Sequence, residues 1–339
     1  MNVSVAPPAA IAAARALVDG PTRAAVERLD PRMRLIASYQ MGWVEADGTP
    51  RPGVGGKAIR PTLAVLSARA AGAAPLVGVP GAVAVELVHN FSLLHDDVMD
   101  RDVERRHRPT GWAVYGDGQA ILAGNAMLIA AIEAVQDSGP HAAAAVSTLL
   151  AATQRLITGQ AEDLAYEQQA SLTVDDVLGM EAGKTAALLS CAASIGAVLA
   201  GAAPETVAAL AEFGEQLGMA FQLVDDVLGI EGDPAVTGKS ASSDLRAGKR
   251  SAPVVAALAA GSPAAADLAA LLAGGPPDTD ADVERAAALL RAAGGLEWAE
   301  AEARSRLARA LGALEQGGLD PDARLELDQI ARFVVGRDH

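Results

Sequence analysis

The sequence lacks the usual materials for a disulfide framework, a nucleic-acid surface or a β-rich core. A single cysteine, Cys191, excludes an intramolecular disulfide network and a cysteine zinc site. Aromatic residues are 3% of the 339, too few for a core of strands built on rings and β-branched side chains. Basic residues number 27 against 42 acidic ones, a net charge of -15, which excludes both a nucleic-acid footprint and a polybasic membrane patch. The first ten residues carry no positive charge and Arg15 interrupts the apolar stretch that follows, so no signal peptide is expected and the cytosol is the expected compartment. Alanine is what the chain has in excess, 77 residues, and this predicts helices packed closely through small side chains. With 51% hydrophobic residues there is enough to bury one large core, expected to form a single domain over 1–339 after a short, partly disordered segment at 1–20.

The longest uncharged run, residues 185–204, could span a membrane by length. Alanine, glycine and serine dominate it, however, and Lys184 and Glu205 bracket it, so it is read as a buried helix of a protein without a transmembrane segment. Helix starts are marked at Pro21-Thr22, at Pro80, at Thr173 with Asp176 in capping-box spacing, and at Pro263 and Pro321 after Ser262 and Asp320. Gly294-Gly295 reads as a helix stop. Apolar residues recur at spacings of three and four, and period-2 alternation is scarce, so the fold class is all-α. Two long loops interrupt the pattern, 42–56 and 230–253, the latter carrying Lys239, Asp244, Lys249 and Arg250. Residues 261–280, rich in alanine, glycine and proline, read as a flexible connection.

Chemistry concentrates in His95-Asp96-Asp97-Val98-Met99-Asp100, at the end of an apolar helical stretch. Residues at i and i+4 share a helix face, so Asp96 and Asp100 project together with Asp97 beside them. Such a cluster repels itself unless cations lie between, and oxygen ligands with room for water suit Mg²⁺. An isolated Asp-Asp pair is often a solvated helix end. A second pair, Asp225-Asp226, again ends an apolar stretch, with Gln222 one turn before Asp225. Arg105 and Arg106 follow the first motif, Lys239 and Lys249 the second, and these are groups a phosphate clamp needs. Acid walls, a basic rim and apolar helices beneath describe a site for an amphiphilic diphosphate.

In these motifs and their order the chain resembles the trans-isoprenyl diphosphate (polyprenyl) synthases, over roughly residues 25–335. The resemblance implies an all-α helical bundle with a central apolar cavity. Gly55-Gly56-Lys57-Ala58-Ile59-Arg60-Pro61 is similar to the family's isopentenyl-diphosphate loop, implying that Lys57, Arg60 and also His89 hold that diphosphate. Asp96, Asp97 and Asp100 match the first aspartate-rich motif, with Asp96 and Asp100 as direct Mg²⁺ ligands. Arg105 would bind the allylic diphosphate and Arg106 the isopentenyl diphosphate. Gln160 and Asp163 resemble a Gly-Gln-x-x-Asp segment, and Lys184-Thr185 a Lys-Thr pair on a broken helix. Gln222, Asp225, Asp226 and Lys239 fall on the second motif, with Asp225 and Asp226 completing the metal set for three Mg²⁺ ions. Gly229 stands where the family often has a third aspartate, which is expected to weaken Mg²⁺ binding, and His107 replaces a common glycine.

The implied reaction is head-to-tail condensation. Metal ions, Arg105, Lys184 and Lys239 would neutralise the departing allylic diphosphate, while Thr185 and Gln222 stabilise the cation through oxygen dipoles. The starter would be a dimethylallyl, geranyl or farnesyl diphosphate. Phe91 lies about 7.5 Å below Asp96 at about 1.5 Å per helical residue. With the small Ser92 beside it and no insertion in the first motif, it resembles the pattern for a geranylgeranyl product, farnesyl being next. Family homodimers imply a helix–helix interface on the alanine-rich faces around Leu122–Val135. The insert at 42–54 resembles a branch with some encapsulin-shell cargo. Those cargo proteins carry long disordered N-terminal extensions, whereas helix is expected here almost from the start. A non-catalytic partner subunit and a terpene cyclase are the competing readings. Nearly intact aspartates and basic ligands argue against the first, and the isopentenyl-diphosphate residues against the second.

Overall fold

The structure, a computed structural model, describes residues 7–52, 56–167, 169, 171–232 and 242–336. Helices α1 (Ala9–Glu27), α2 (Pro31–Gln40), α3 (Ile59–Ala70) and α4 (Val79–Met99) lead into a small antiparallel ribbon, β1 (Glu104–Arg105) and β2 (Arg108–Pro109). Next come α5 (Gly111–Tyr115), α6 (Asp117–Gln136), α7 (Ala142–Tyr166), α8 (Val174–Glu181), a π-helical turn (Ala182–Ala186), α9 (Ala187–Leu199) and α10 (Pro204–Glu231). The last third adds α11 (Ser243–Arg246), α12 (Ala252–Ala259), α13 (Pro263–Leu272), α14 (Asp280–Ala292), α15 (Gly295–Leu314) and α16 (Pro321–Val335). The all-α expectation holds.

The use of alanine and glycine is explained at α9, where every residue but Ser190 and Val198 is buried. Packed helices normally stand 8–10 Å apart, set by the side chains between them; here the side chains are nearly absent. A Cβ at Gly196 would lie 2.1 Å from the carbonyl oxygen of Ala64 on α3, and Gly196 N–H donates to Ser67 Oγ at 3.0 Å. On the α10 side, a Cβ at Gly214 would lie 2.4 Å from Leu189 O, and one at Gly218 would lie 2.6 Å from Ala186 Cα. Thus α3, α9 and α10 form a slab with backbone nearly on backbone. Around it the main core gathers side chains such as Leu63, Leu87, Met127, Leu149, Phe213 and Ile330. A second core, including Val177, Leu223, Val227, Val255 and Leu290, lies under the C-terminal third. Helix α10 runs from one core into the other between Leu217 and Leu223, and Gln222, Asp225 and Asp226 sit at that crossing.

Thr173 and Asp176 form the expected capping box, and Ser262 and Asp320 cap helices that begin with Pro263 and Pro321. Gly294 turns the chain at φ 82. Three expectations are corrected. Pro21 does not start a helix but lies inside α1, whose face of Ile11, Ala14, Val18, Thr22 and Ala25 is buried deeply enough to keep it continuous; residues 9–20 are therefore helix too. Residues 261–280 contain α13, anchored by buried Ala265 and Leu268, because a proline at the first helical position lacks only an N–H that would go unbonded anyway. The uncharged run at 185–204 is not one helix: α9 ends at Leu199, and α10 starts at Pro204 after Gly201 turns at φ 68. Among the described residues three stretches, Pro75–Met99, Asp117–Gln136 and Val174–Leu199, are long and apolar enough to cross a membrane by length and composition, with 67%, 39% and 67% of their most apolar windows buried inside the protein.

Since neither backbone can yield at the α3–α9 contact, Gly196→Ala should lower unfolding stability by about 2–3 kcal/mol, the upper range for an overpacked core. Urea unfolding midpoints read this directly.

Candidate active site

Helix α4 is buried along most of its length and ends at the first acidic motif, with Asp100 as its C-terminal cap. Arg101, at φ 58, takes the left-handed position beyond the cap, and Asp102 N–H closes back onto Asp97 O at 3.1 Å. Asp97 does not point with its neighbours. It is fully buried and accepts from Arg105 Nε at 2.6 Å, while its Oδ2 has no partner among the described residues. Asp96 and Asp100 face Lys184. Burial, opposed mainly by Lys184, pushes Asp96 up to about 6 and raises Asp100 in the same direction.

Lys184 and Thr185 lie on the π-helical turn between α8 and α9. The turn is seated on α7 by two glycines: a Cβ at Gly159 would lie 2.3 Å from Lys184 N, and one at Gly183 would lie 2.9 Å from Arg155 O. Lys184 Nζ pairs with Asp163 on α7, and Thr185 Oγ1 donates to Gln222 Oε1 on α10 at 2.7 Å. Gln222 Nε2 donates in turn to Asp226 Oδ1 at 2.8 Å. Of the second acidic pair, Asp225 is exposed and Asp226 is buried. Asp226 also accepts from Ala252 N–H and contacts Glu181; burial above all lifts it to about 6.

Lys249 joins the two motifs. Burial draws its pKa down, but Asp244, Asp163, Asp100 and Asp226 around it outweigh this and hold it above the usual lysine value. Gly229 has a local explanation. A Cβ there would lie 2.3 Å from Asp244 Oδ2, so the carboxylate of Asp244 occupies the space a side chain at 229 would take. The acid missing from the motif is returned by α11.

A cationic pocket adjoins this acidic site. Arg60 Nη1 lies 3.4 Å from His89 Nε2, and Arg60 Nε is buried without a hydrogen-bond partner among the described residues. Burial, then Arg60, Arg106 and Arg105, hold His89 well below the usual histidine value, so it is a neutral imidazole. Burial also lowers Arg60 to about 10, with Glu86 resisting and Arg106 adding to the shift. The loop before α3 joins this pocket: Arg15 Nη2 donates to Gly56 O, and a Cβ at Gly56 would lie 3.7 Å from Arg106 Nη1. Lys57 is exposed on that loop.

Arg106 and His107 form the two-residue turn of the ribbon at φ 53 and 58, the left-handed conformation that usually selects Asn-Gly. The insert at 42–52 and the end of α2 brace it through Arg108. Arg108 donates to Val44 O at 2.8 Å and Tyr39 O at 3.2 Å, stacks 4.1 Å over the Tyr39 ring, and Tyr39 Oη donates to Pro109 O at 2.7 Å. Below the acidic site, Phe91 is buried and meets His95 edge-on at 5.0 Å; His95 Nε2 donates to Ile121 O at 3.0 Å, and Ser92 lies one turn beneath Asp96.

The structure thus gathers Asp96, Asp100, Lys184, Thr185, Gln222 and Asp226 into one site, and Arg60, His89, Arg105 and Arg106 into the adjoining pocket. Lys239 and Gly55 lie outside the described residues. Asp97 and Asp226, expected among the metal carboxylates, are instead turned inward onto Arg105 and onto Gln222 and Ala252. Among the described residues no three His, Cys, Asp or Glu side chains converge closely enough to hold a metal by themselves. Two desolvated carboxylates with Lys184 as their main counter-charge nevertheless fit Mg²⁺, which commonly takes one or two carboxylates and completes its shell with water and phosphate. Glu181 and Arg108 were not singled out in the sequence. The signal for Glu181 is an acid four residues after buried Val177, on the face where the helical period calls for an apolar residue.

Asp96 should make stability depend on pH in a defined direction. Its ordinary value is 3.8 and its folded value about 6, so the native state keeps the proton that the unfolded state releases between them. The destabilisation is absent below about pH 4, grows as pH rises to about 6, and is constant above. Asp96→Asn should therefore raise the thermal midpoint of the metal-free protein by a few degrees at pH 7.5 and leave it unchanged near pH 4. Calorimetry at the two pH values checks this.

The Polyprenyl synthetase family matches residues 51–290. The (2E,6E)-farnesyl diphosphate synthase of Mycobacterium tuberculosis is 45% identical over 328 residues, 96% of this chain and 91% of its own. The geranylgeranyl diphosphate synthase of the same organism is 44% identical over 300 residues, 88% and 86% of the two chains. The crystal structure of a polyprenyl synthetase from Streptomyces coelicolor A3(2) superposes with a TM-score of 0.93 at 49% identity, covering 96% of this chain and 99% of that one. On this coverage the chain belongs to the polyprenyl synthetase family and is a trans-prenyltransferase of isoprenoid biosynthesis, a magnesium-dependent class.

Proposed function

We propose that this prenyltransferase condenses isopentenyl diphosphate with an allylic diphosphate and releases geranylgeranyl diphosphate. The observation that carries the reading is the meeting of an acidic site and a cationic pocket at Arg105, which pairs with Asp97 on one side and lies near His89 on the other. In the pocket, Arg60, His89 and Arg106 hold the isopentenyl diphosphate with Lys57, and the unpartnered Arg60 Nε is a donor such an anion would satisfy. Across from it Asp96, Asp100 and Asp225 would hold magnesium, three ions in this proposal, whose chemistry would be to neutralise the charge of the allylic diphosphate as it leaves. Arg105, Lys184 and Lys249 add fixed positive charge to the same leaving group. Thr185 has committed its proton to Gln222, so its oxygen offers only lone pairs to the allylic cation. Isopentenyl diphosphate, held beside that cation, attacks with its double bond; the new cation gives up a proton to the departed diphosphate to form the product's double bond, and positioning contributes much of the rate.

Product length follows from the residues below Asp96. Ser92, one turn beneath Asp96, is small, and Phe91 is the aromatic residue beside it, a pattern that favours a geranylgeranyl over a farnesyl product. A farnesyl product is the second reading, favoured by the 45% identity to a farnesyl diphosphate synthase over 96% of the chain. Purified protein with Mg²⁺, isopentenyl diphosphate and each of the dimethylallyl, geranyl and farnesyl starters should yield a C20 alcohol after dephosphorylation, sized by mass. Asp96→Ala should cut turnover at least about 100-fold, as losses at charge-stabilising groups do. Ser92→Phe, which fills the path, should shorten the product by one five-carbon unit.

We also propose that the enzyme works as a homodimer. Ile121, Leu122 and Ile129 on α6 and Leu150 and Ile157 on α7 are 42–56% exposed, and the pairs 122/129 and 150/157 repeat at seven residues, so each helix carries an apolar stripe. A second copy is the partner with matching stripes. Wild-type protein should sediment as a dimer, and Ile129→Glu combined with Leu150→Glu should sediment as a monomer.

A further inference from the structure

Helix α1 reaches the cationic pocket through a side chain that its own packing does not require. Its buried face, Ile11, Ala14, Val18 and Ala25, seats it in the main core. Arg15 lies half-buried beside that face and forms no ion pair with a carboxylate among the described residues. Its guanidinium instead reaches forty-one residues along the chain, where Nη2 donates to Gly56 O. A hydrogen bond from a charged donor is among the stronger ones, and this one holds the peptide plane that joins Gly56 to Lys57. The donor stands on a helix anchored in the core, so it is itself fixed in place.

Lys57 is thereby held from both sides. The residue after it, Ala58, takes the left-handed conformation at φ 53, and its carbonyl accepts twice from Thr62, from N–H at 3.1 Å and from Oγ1 at 2.7 Å. The residue before it, Gly56, has no side chain of its own and is tied down from outside by Arg15. A Cβ at Gly56 would lie 3.7 Å from Arg106 Nη1, so this stretch of chain runs beside the pocket. A side chain that starts from a fixed backbone meets its ligand already placed. One that starts from a loose backbone has to be ordered as the ligand binds, and binding is weakened by that much. We propose that Arg15 is a positioning residue for isopentenyl diphosphate, whose hydrogen bond to the Gly56 carbonyl sets Lys57 in place before the substrate arrives. This rests on the reading above, in which Lys57 helps to hold that diphosphate.

The experiment compares Arg15→Ala and Arg15→Leu, the second keeping apolar bulk, with the wild-type full chain. In steady-state kinetics with Mg²⁺ and the best allylic starter, KM for isopentenyl diphosphate should rise roughly 5- to 30-fold, the effect of ordering one residue's backbone on binding. The complete complex is unaltered, so kcat should stay within about twofold and KM for the allylic starter should not move. Calorimetric titration with isopentenyl diphosphate alone should raise Kd by the same factor, with no turnover involved. Adding Arg15→Ala to Lys57→Ala should weaken binding by less than about twofold more, since both act through one side chain. Circular dichroism and the thermal midpoint identify a variant that fails to fold, and two variants guard against losing one. Unchanged KM and Kd in a folded variant overturn the proposal. Equal rises in KM for both substrates also overturn it, as the mark of a general structural role, and so do losses that multiply in the double variant, as the mark of a direct diphosphate ligand. Wild-type protein that binds isopentenyl diphosphate but forms no product refutes the functional reading alone, and the titration still decides the role of Arg15. Wild-type protein that does not bind it refutes both.

Discussion

Like charge brought out of water, and only partly answered, is the constraint around which this molecule is organised. An apolar α4 buried for most of its length carries half-buried Asp96, buried Asp97 and exposed Asp100 at its end, and α10 carries exposed Asp225 and buried Asp226. The protein answers these carboxylates unequally. Asp97 is bonded by Arg105, and Asp226 by two N–H donors and Glu181. Asp96 and Asp100 are left with Lys184, which is shared with Asp163. Burial therefore remains the largest influence on both, and that residue of unrelieved charge is what a dication bearing a diphosphate can neutralise. The close slab of α3, α9 and α10 supplies the rigid backing such an arrangement requires, since carboxylates on a yielding scaffold would separate and hydrate.

Much of this was legible in the sequence, because helical period, proline caps and i, i+4 aspartates are local signals. All-α character, the caps at Thr173, Ser262 and Asp320, and the joint projection of Asp96 and Asp100 follow from spacing alone. Local signals failed where tertiary packing outweighed them. Pro21 and the glycine-rich 261–280 segment look like breaks, but buried faces on α1 and α13 carry the helices through. Spacing also could not tell which carboxylate of each Asp-Asp pair turns inward. For Asp97 that depends on Arg105, eight residues on and across a turn; for Asp226 it depends on Ala252, twenty-six residues on. Gly229 is the same case, since nothing near it in sequence announces that Asp244 fills its place.

The arginine turn illustrates why positioning of this kind needs distant support. Arg106 and His107 both adopt left-handed backbone, which costs roughly 1–2 kcal/mol for each non-glycine residue. A glycine at 107 would remove that strain but add conformational freedom to the turn. Here the strained form is held by contacts of the residue that follows it. Arg108 binds carbonyls of Tyr39 and Val44, and the insert is itself closed by the Val44–Pro50 bridge and by Glu45 N–H donating to Thr49 O at 2.8 Å. Tyr115 Oη bonds Ala46 O at 3.0 Å, tying the insert to α5. The brace acts on Arg108, so Arg106 can be fixed without any of its own donors being consumed by the brace. Fixing a side chain through its backbone and its neighbour, and leaving its charged end for the ligand, is the arrangement a diphosphate pocket requires. It also accounts for an insert that contributes no described side chain to the acidic site.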